Sequence, residues 1–269
     1  MKKIKTALIT GGGGLLGPQH AIALAKINFR VILIDLNKPK LLISKKKIEQ
    51  EVLLADVRIF ICDITNEKKL KSLNNELKKK DISIDVLINN AAMNPKMKKI
   101  NTGSSGKVED YNTGLLKKEI NVSIIGSFLC CKIFGSVMAS KKGGVIINIA
   151  SDLAINAPDH AVYHKTDNIK NVKHFKPIGY SISKFGLIGL TKYLATYWAR
   201  KKIRCNALIP GAVLNKQPAF LIKNVSKRIP MGRWANEKEY RKAIQFLATD
   251  ASSYMTGQML IIDGGRTTW

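Results

Sequence analysis

Cysteine is scarce in this chain and badly placed for metal: Cys62, Cys130, Cys131 and Cys205 are the whole set, and none falls at ligand spacing. A cysteine-bound metal centre is therefore excluded, and the thiols read as small apolar groups in a reducing compartment. Long apolar runs are missing as well. After Met1-Lys2-Lys3-Ile4-Lys5 only Ala7-Leu8-Ile9 precedes Thr10 and a glycine run, too little for an export signal. No uninterrupted apolar segment approaches the ~20 residues that cross a bilayer. These absences give the expectation of a soluble, cytoplasmic protein with no membrane partner. The chain also lacks Ser/Pro-rich linkers, internal repeats and low-complexity breaks, so residues 1–269 are expected to form one domain.

Acidic residues are in deficit. Nineteen Asp and Glu, against 45 Lys and Arg, leave a formal net charge of +26. Such a balance permits binding to nucleic acid, acidic membrane or anionic substrates. The lysines are spread over helical stretches such as 38–47 and 68–80, with no aromatic-interleaved basic platform among them, so no dedicated nucleic-acid partner is expected.

What the chain does have is alternation. Apolar runs at Thr6–Thr10, Arg30–Asp35, Arg58–Cys62, Asp85–Asn89, Val145–Ala150, Ile203–Ile209 and Met259–Asp263 have the length and composition of buried strands. Helical spacing fills Leu15–Ile27, Pro39–Val52, Glu67–Lys79, Lys118–Met138 and Tyr180–Ala199. Strands this apolar, each followed by a helix, predict an α/β fold: a Rossmann-type, doubly wound parallel sheet with helices on both faces. Sheets of this kind bind ligands at their carboxyl edge.

Two groups of residues point to chemistry at that edge. The first is the turn after the first strand, where Gly12-x-Gly14-x-x-Gly17 and Gly11-x-x-Gly14-x-x-Gly17 both fit a strand-to-helix glycine motif ending at Gly17, with Leu16 at the helix entry. Glycine lets the backbone approach a pyrophosphate, which then meets the free N–H groups of the helix start. Asp35 closes the second strand at about the 20-residue separation expected of the acid that binds the adenosine ribose, which favours NAD(H) over NADP(H). A helix cap is the bland alternative for Asp35, but Pro39 makes Asn37 or Lys38 the better cap. Asp63, after the third strand, is read as a contact to the adenine or as a helix cap. The second group is Tyr180-Ser181-Ile182-Ser183-Lys184, which sets a phenol and an ammonium one helical turn apart. A cation so placed favours phenolate and makes the tyrosine a proton donor and acceptor near neutral pH. Tyr163 is a rival nearer Ser151, but Asp167 four residues on would oppose phenolate.

The order of these motifs resembles that of the short-chain dehydrogenase/reductase family, along almost the whole chain. Thr10 to Gly17 resembles its cofactor turn, Asn89 to Ala92 its Asn-Asn-Ala-Gly segment, and Asn121, Ser151, Tyr180 and Lys184 its catalytic tetrad. Pro210-Gly211 and the stretch from Tyr254 to Gly265 match its later motifs. The resemblance implies hydride transfer between a nicotinamide and a secondary alcohol or ketone. Tyr180 would pass the proton, Lys184 would steady phenolate and hold the nicotinamide ribose, Ser151 would fix the substrate oxygen, and Asn121 would hold a water. Asn89, Ala91 and Val213 would line the cofactor site, no metal is called for, and a homotetramer or dimer is expected. Three departures stand out: Leu15-Leu16 inside the glycine turn, Asn215 where many relatives have threonine, and an insertion over 156–178. Its His160, His164, Lys165, Lys170, Lys173, His174 and Lys176 suggest an anion-binding lid, hence a polar, anionic or sugar-derived substrate. The glycine turn, the insertion and Tyr193 to Trp198 look similar to oxidoreductases of bacterial surface-sugar and flagellin-glycan biosynthesis. Competing readings are a 3-oxoacyl-carrier-protein reductase and a non-catalytic dinucleotide sensor.

Overall fold

The computed structural model describes residues 4–93, 106–141, 143–163 and 175–269. Seven parallel strands form one sheet: β1 (Thr6–Thr10), β2 (Arg30–Asp35), β3 (Val57–Ile61), β4 (Val86–Asn89), β5 (Gly144–Ile149), β6 (Ile203–Pro210) and β7 (Met259–Ile262). Their order is β3-β2-β1-β4-β5-β6-β7. The chain winds outward from β1 to β3, then returns to lay β4 on the other side of β1 and winds the opposite way. A crevice therefore opens above the carboxyl ends of β1 and β4, where the direction of winding reverses.

Helices α1 (Gly17–Ala25), α2 (Lys38–Glu51) and α3 (Glu67–Lys79) connect the first four strands. The long helix α4 (Thr113–Ser140) precedes β5, and α5 (Ile178–Tyr197) precedes β6. Two shorter helices, α6 (Ala219–Ser226) and α7 (Arg241–Ala248), lie between β6 and β7. One apolar layer packs α1, α2 and α7 on the face carrying Ala7, Ile9, Val31, Leu33 and Ile147. The other face, with Leu8, Ile32, Leu87 and Ile146, packs on α3, α4 and the end of α5. Strand residues alternate between the two layers, which is why every strand had to be apolar throughout.

Among the described residues, α4 is by length and composition capable of crossing a membrane. Its apolar residues are interrupted by Asn121, Ser123, Ser127 and Lys132, so it carries no uninterrupted apolar run of that length. Within the fold, 56% of its apolar window is buried, with Cys130, Cys131, Phe134 and Met138 set into the second core layer. The helix widens locally at Asn121–Ile125 and Cys131–Gly135, each a π-type turn.

A buried polar chain runs through the middle of the sheet. Asn89 Nδ2 donates to Asn148 Oδ1 at 2.8 Å, Asn148 Nδ2 donates to Thr191 Oγ1 at 2.8 Å, and the Thr191 hydroxyl donates to the Leu187 carbonyl at 2.7 Å. These groups are nearly or fully inaccessible to water, so each depends on its neighbour for a partner. Asn148→Ala should leave both Asn89 and Thr191 underserved and cost about 2–4 kcal/mol. A fall in the urea midpoint at unchanged slope is the expected reading, and an unchanged midpoint would show that the chain is not structural.

Candidate active site

The glycine turn is built by close approach. Gly14 N–H donates to the Gly11 carbonyl at 2.9 Å, closing the loop, and Gly17 packs so tightly that a Cβ there would lie 2.5 Å from the same oxygen. Gly11 itself has φ +62°, and a Cβ on it would meet Ala91 Cα at 2.8 Å. The Gly11, Gly14, Gly17 register therefore shapes the turn, and Ala91 abuts it. The α2, α3 and α4 helices each begin with an asparagine, Asn37, Asn66 or Asn112, whose side chain accepts from the first turn. By contrast α1 enters through Leu16 with no side-chain cap and no acidic residue in its first turn. Its leading N–H groups, just beyond the carboxyl end of β1, are not taken by a side-chain cap.

Asp35 stands at the end of β2, and its Oδ2 accepts from Gly13 N–H at 3.0 Å while its Oδ1 accepts from Asn37 N–H at 3.0 Å. The helix cap is Asn37, so Asp35 is fixed against the glycine turn without serving as that cap. Asp63 sits one strand further out and ties its own turn, accepting from Thr65 N–H and Oγ1 at 2.9 and 2.7 Å, while Asn66 caps α3.

Of the residues expected at the site, Asn89 is placed elsewhere, and Asn121 lies outside the buried stripe of its helix. Asn89 is buried below the crevice in the polar chain described above, with Cys131 Sγ as a second neighbour at 3.2 Å. Its successor Asn90 reaches upward instead, donating to the carbonyls of Thr10 and Gly11 at 3.0 and 3.1 Å. Asn121 lies on the exposed side of α4. The buried stripe of that helix runs through Glu119, Ser123, Ser127 and Cys130, and Asn121 is out of phase with it. Val213 lies in the loop after β6, bridged to Ala235.

The remaining predicted groups converge. Ser151 follows β5 in extended conformation and is buried. Tyr180 and Lys184 lie on the first turns of α5, with Lys184 Nζ 5.6 Å from the centre of the phenol ring and donating to the Ile149 carbonyl at 2.6 Å. Burial pushes the Tyr180 phenol up to about 12; a hydrogen bond with Ser151 works against that rise and the Asp152 charge adds to it. The chain alone thus holds a protonated phenol at neutral pH, contrary to the expectation that the neighbouring ammonium acidifies it. The main reason is removal of the phenol itself from water. Burial, with Lys176 adding repulsion, also brings Lys184 down to about 7.

Of the neighbours, sequence reasoning named Lys176 within the insertion and Tyr163 as a rival to Tyr180, and missed Glu119 and Gly179. Lys176, just ahead of α5, places Nζ 3.9 Å from the centre of the Tyr180 ring, and burial lowers it to about 8, with Asp152 and Glu119 pulling upward and Arg266 downward. Glu119 is buried beneath the start of α5, takes a hydrogen bond from the Tyr111 hydroxyl at 2.8 Å, and has its pKa raised by burial. Gly179 makes room for it, since a Cβ there would fall 1.9 Å from Glu119 Oε2. The in-phase spacing of Glu119 with Ser123 and Ser127 was the available signal. Tyr163 is also close, its phenol pushed up to about 12 chiefly by burial, with the Arg266 charge working against that rise and Asp152 adding to it. It belongs to a separate apolar cluster formed by Val162, Leu221, Val225 and Ile229, which docks α6 on the start of the insertion. His160 packs against Phe175 at 5.2 Å, and His164, Lys165, Lys170, Lys173 and His174 lie outside the described residues. Among the described residues no group of three or more His, Cys, Asp or Glu is arranged to hold a metal.

Comparison with known proteins agrees with this geometry. The family model described as "Enoyl-(Acyl carrier protein) reductase" matches residues 16–267. An NAD-dependent glycerol dehydrogenase of Listeria innocua is 28% identical over 98% of this chain and 94% of its own length. A 3-oxoacyl-[acyl-carrier-protein] reductase of Thermotoga maritima is 30% identical over 97% of each chain. The crystal structure of a gluconate 5-dehydrogenase from Burkholderia cenocepacia in complex with NADP and tartrate superimposes with TM-score 0.83 at 25% identity, covering 98% of this chain and 96% of that one.

The low pKa of Lys184 has a consequence for stability. Above pH 7 the native ammonium loses its proton, whereas in the unfolded chain it keeps it up to about 10.5. The native state is therefore favoured increasingly as pH rises from 7 to 9. In Lys184→Met that part of the rise should vanish, flattening the denaturation midpoint across this range; identical pH slopes in the two proteins would contradict the burial of this charge.

With Ser151, Tyr180 and Lys184 gathered at the carboxyl edge, a glycine turn beside them and a family model spanning nearly its full length, this chain belongs to the short-chain dehydrogenase/reductase family and is an oxidoreductase of alcohols and ketones that uses a nicotinamide dinucleotide.

Proposed function

We propose that the protein is an NAD(H)-dependent dehydrogenase or reductase of a polar secondary alcohol or its ketone, with Tyr180, Ser151 and Lys184 as its catalytic groups. The observation that carries this reading is their convergence at the end of β5, beside the crevice between β1 and β4. The uncapped start of α1 and the collisions that a Cβ would cause at Gly11 and Gly17 fit a pyrophosphate lying on the turn. Asp35 would hold the adenosine ribose and Lys184 the nicotinamide ribose. Bound there, the dinucleotide supplies or accepts the hydride. Tyr180, protonated in the chain itself, donates its proton to a carbonyl oxygen during reduction and must be deprotonated for the reverse reaction. Ser151 fixes that oxygen in place.

The substrate reading rests on charge. Lys176 and Arg266 both lie at the catalytic centre beside Asp152, and the loop joining β5 to α5 is rich in lysine and histidine. An anionic, sugar-derived or polyol alcohol suits that surrounding, as the resemblance to surface-sugar oxidoreductases implies. Relatives that act on glycerol, or that bind tartrate, support the polyol and carboxylate elements. The second reading, reduction of a 3-oxoacyl group on an acidic carrier, has a relative at 30% identity and the basic surface in its favour. Asp35 argues against it where that reaction depends on NADPH, because a carboxylate repels a 2′-phosphate. Exposed Ile125 and Phe128 on α4, with Phe185, Tyr193 and Tyr197 on α5, support a homo-oligomer, proposed as a tetramer, joined through these two helices. Four buried free thiols suit a reducing, cytoplasmic setting.

Tyr180→Phe should lower turnover by at least about a hundredfold while leaving NADH affinity intact; near-normal turnover would remove Tyr180 from the mechanism. The substrate is sought by following NADH oxidation and NAD reduction with keto sugars, sugar phosphates, nucleotide sugars and polyols. NADH should bind more tightly than NADPH, and Asp35→Ser should narrow the gap about tenfold or more by removing the repulsion. A native preference for NADPH would instead favour the acyl-carrier reading.

A further inference from the structure

The hydroxyl of Ser151 is not left to rotate. It donates to Asp152 Oδ1 at 2.8 Å, while the Leu153 N–H donates back to the seryl oxygen at 3.2 Å and to the same carboxylate oxygen at 2.9 Å. The other carboxylate oxygen, Oδ2, accepts from Arg266 Nη1 at 2.6 Å. This ion pair is well removed from solvent, with 14% of the Arg266 side chain and 5% of the Asp152 side chain exposed. A pair so shielded strongly penalises the loss of either member.

Arg266 comes from the far end of the sequence, and the fold takes trouble to deliver it. Just beyond β7, Asp263 Oδ1 accepts from Gly265 N–H at 2.9 Å, and its Oδ2 accepts from the N–H and Oγ1 of Thr267 at 2.8 and 2.7 Å. Gly264 and Gly265 take φ of +69° and +88°, which turn the chain back toward β5. Met231 N–H holds the Gly264 carbonyl at 3.1 Å. The backbone on both sides of Arg266 is thus tied to one carboxylate, which fixes where its side chain starts.

We propose that Arg266 is a positioning residue of the catalytic centre, which clamps Asp152 against the Ser151 hydroxyl and so fixes the seryl oxygen in the orientation that meets Tyr180. This deepens the reading of Ser151 and Tyr180 as catalytic groups and rests on it. The clamp has two consequences. It holds the Ser151 side chain in one rotamer, so that the seryl oxygen keeps its place beside the Tyr180 hydroxyl. It also opposes the negative charge of Asp152, which otherwise disfavours phenolate at Tyr180. The other ionisable groups around that phenol are Lys184 on α5, Lys176 ahead of it, Glu119 from α4 and Tyr163 from the turn after β5; none of these changes in the variants below.

The test uses the full-length protein, a secondary alcohol that it oxidises, and the pH dependence of kcat. Arg266→Gln exposes Tyr180 to an unopposed carboxylate. The ascending, acid-side limb of alcohol oxidation should move up by about one pH unit and kcat near pH 8 should fall about tenfold, with KM changed far less. Arg266→Lys should recover part of the loss. Asp152→Asn combined with Arg266→Gln removes both charges and should return the pH midpoint toward that of the unaltered protein, a recovery that a general loss of folding would not produce. An unchanged pH midpoint in Arg266→Gln, or a double variant whose midpoint stays where the single variant put it, would overturn the proposal. Tyr180→Phe is run beside them: if it keeps its turnover, the underlying reading of the site fails, whereas its inactivity with an inert Arg266→Gln would refute the clamp alone.

Discussion

The join between β1 and β4 is the constraint on which the site depends. Thr10 Oγ1 accepts the N–H groups of both Asn90 and Ala91 at 2.9 Å, and the Asn90 amide donates back to the carbonyls of Thr10 and Gly11. Two strands far apart in sequence are thereby stitched at the point where the winding reverses. Their carboxyl ends can accept no further strand there, so the crevice stays open. The glycine turn rises on one side of the stitch, and the ends of β4 and β5 form the other. Loosening it would let Gly11 drift from Ala91 and blunt the cradle whose shape depends on that approach.

The chemistry above the stitch is a contest between burial and charge. Removal from water favours the neutral forms of Tyr180, Lys184 and Lys176 alike, and the shifts all run in that direction. Asp152 then biases the contest further toward a protonated phenol, and Arg266 opposes Asp152. The catalytic groups are therefore tuned as a set. A reading limited to Tyr180 and Lys184 predicts the wrong direction for the phenol, because it counts the ammonium and leaves out the desolvation of the phenol itself.

The fold was legible because two-sided burial imposes an unambiguous apolar signature on each parallel strand. All seven strands lie within a residue or so of where their composition put them, and α3 spans the same residues by periodicity and by structure. The glycine turn and the Tyr180–Lys184 pair were legible for a related reason: local spacing alone determines a turn or a pair one helical turn apart, whereas Ser151 was expected only from the order of the family's motifs and Asp35 from its distance beyond the turn. What failed was phase and distance along the chain. Asn121 looked catalytic by its order among the motifs, yet helical phase turns it toward solvent, and Glu119, in phase with the buried stripe, had no motif to announce it. Asn89 and Asn90 are adjacent, and strand alternation sends only the second toward the turn. The meeting of Asp152 with Arg266 spans more than a hundred residues and leaves no periodic trace.

The account stands or falls on where a dinucleotide lies relative to Tyr180. A crystal structure of the protein with NADH is the most direct measurement. It should place the pyrophosphate over Gly11 to Gly17 at the start of α1, the adenosine ribose on Asp35, and the reactive face of the nicotinamide toward the Tyr180 hydroxyl. A dinucleotide bound away from the β1–β4 crevice, or one whose nicotinamide faces away from Tyr180, would contradict it.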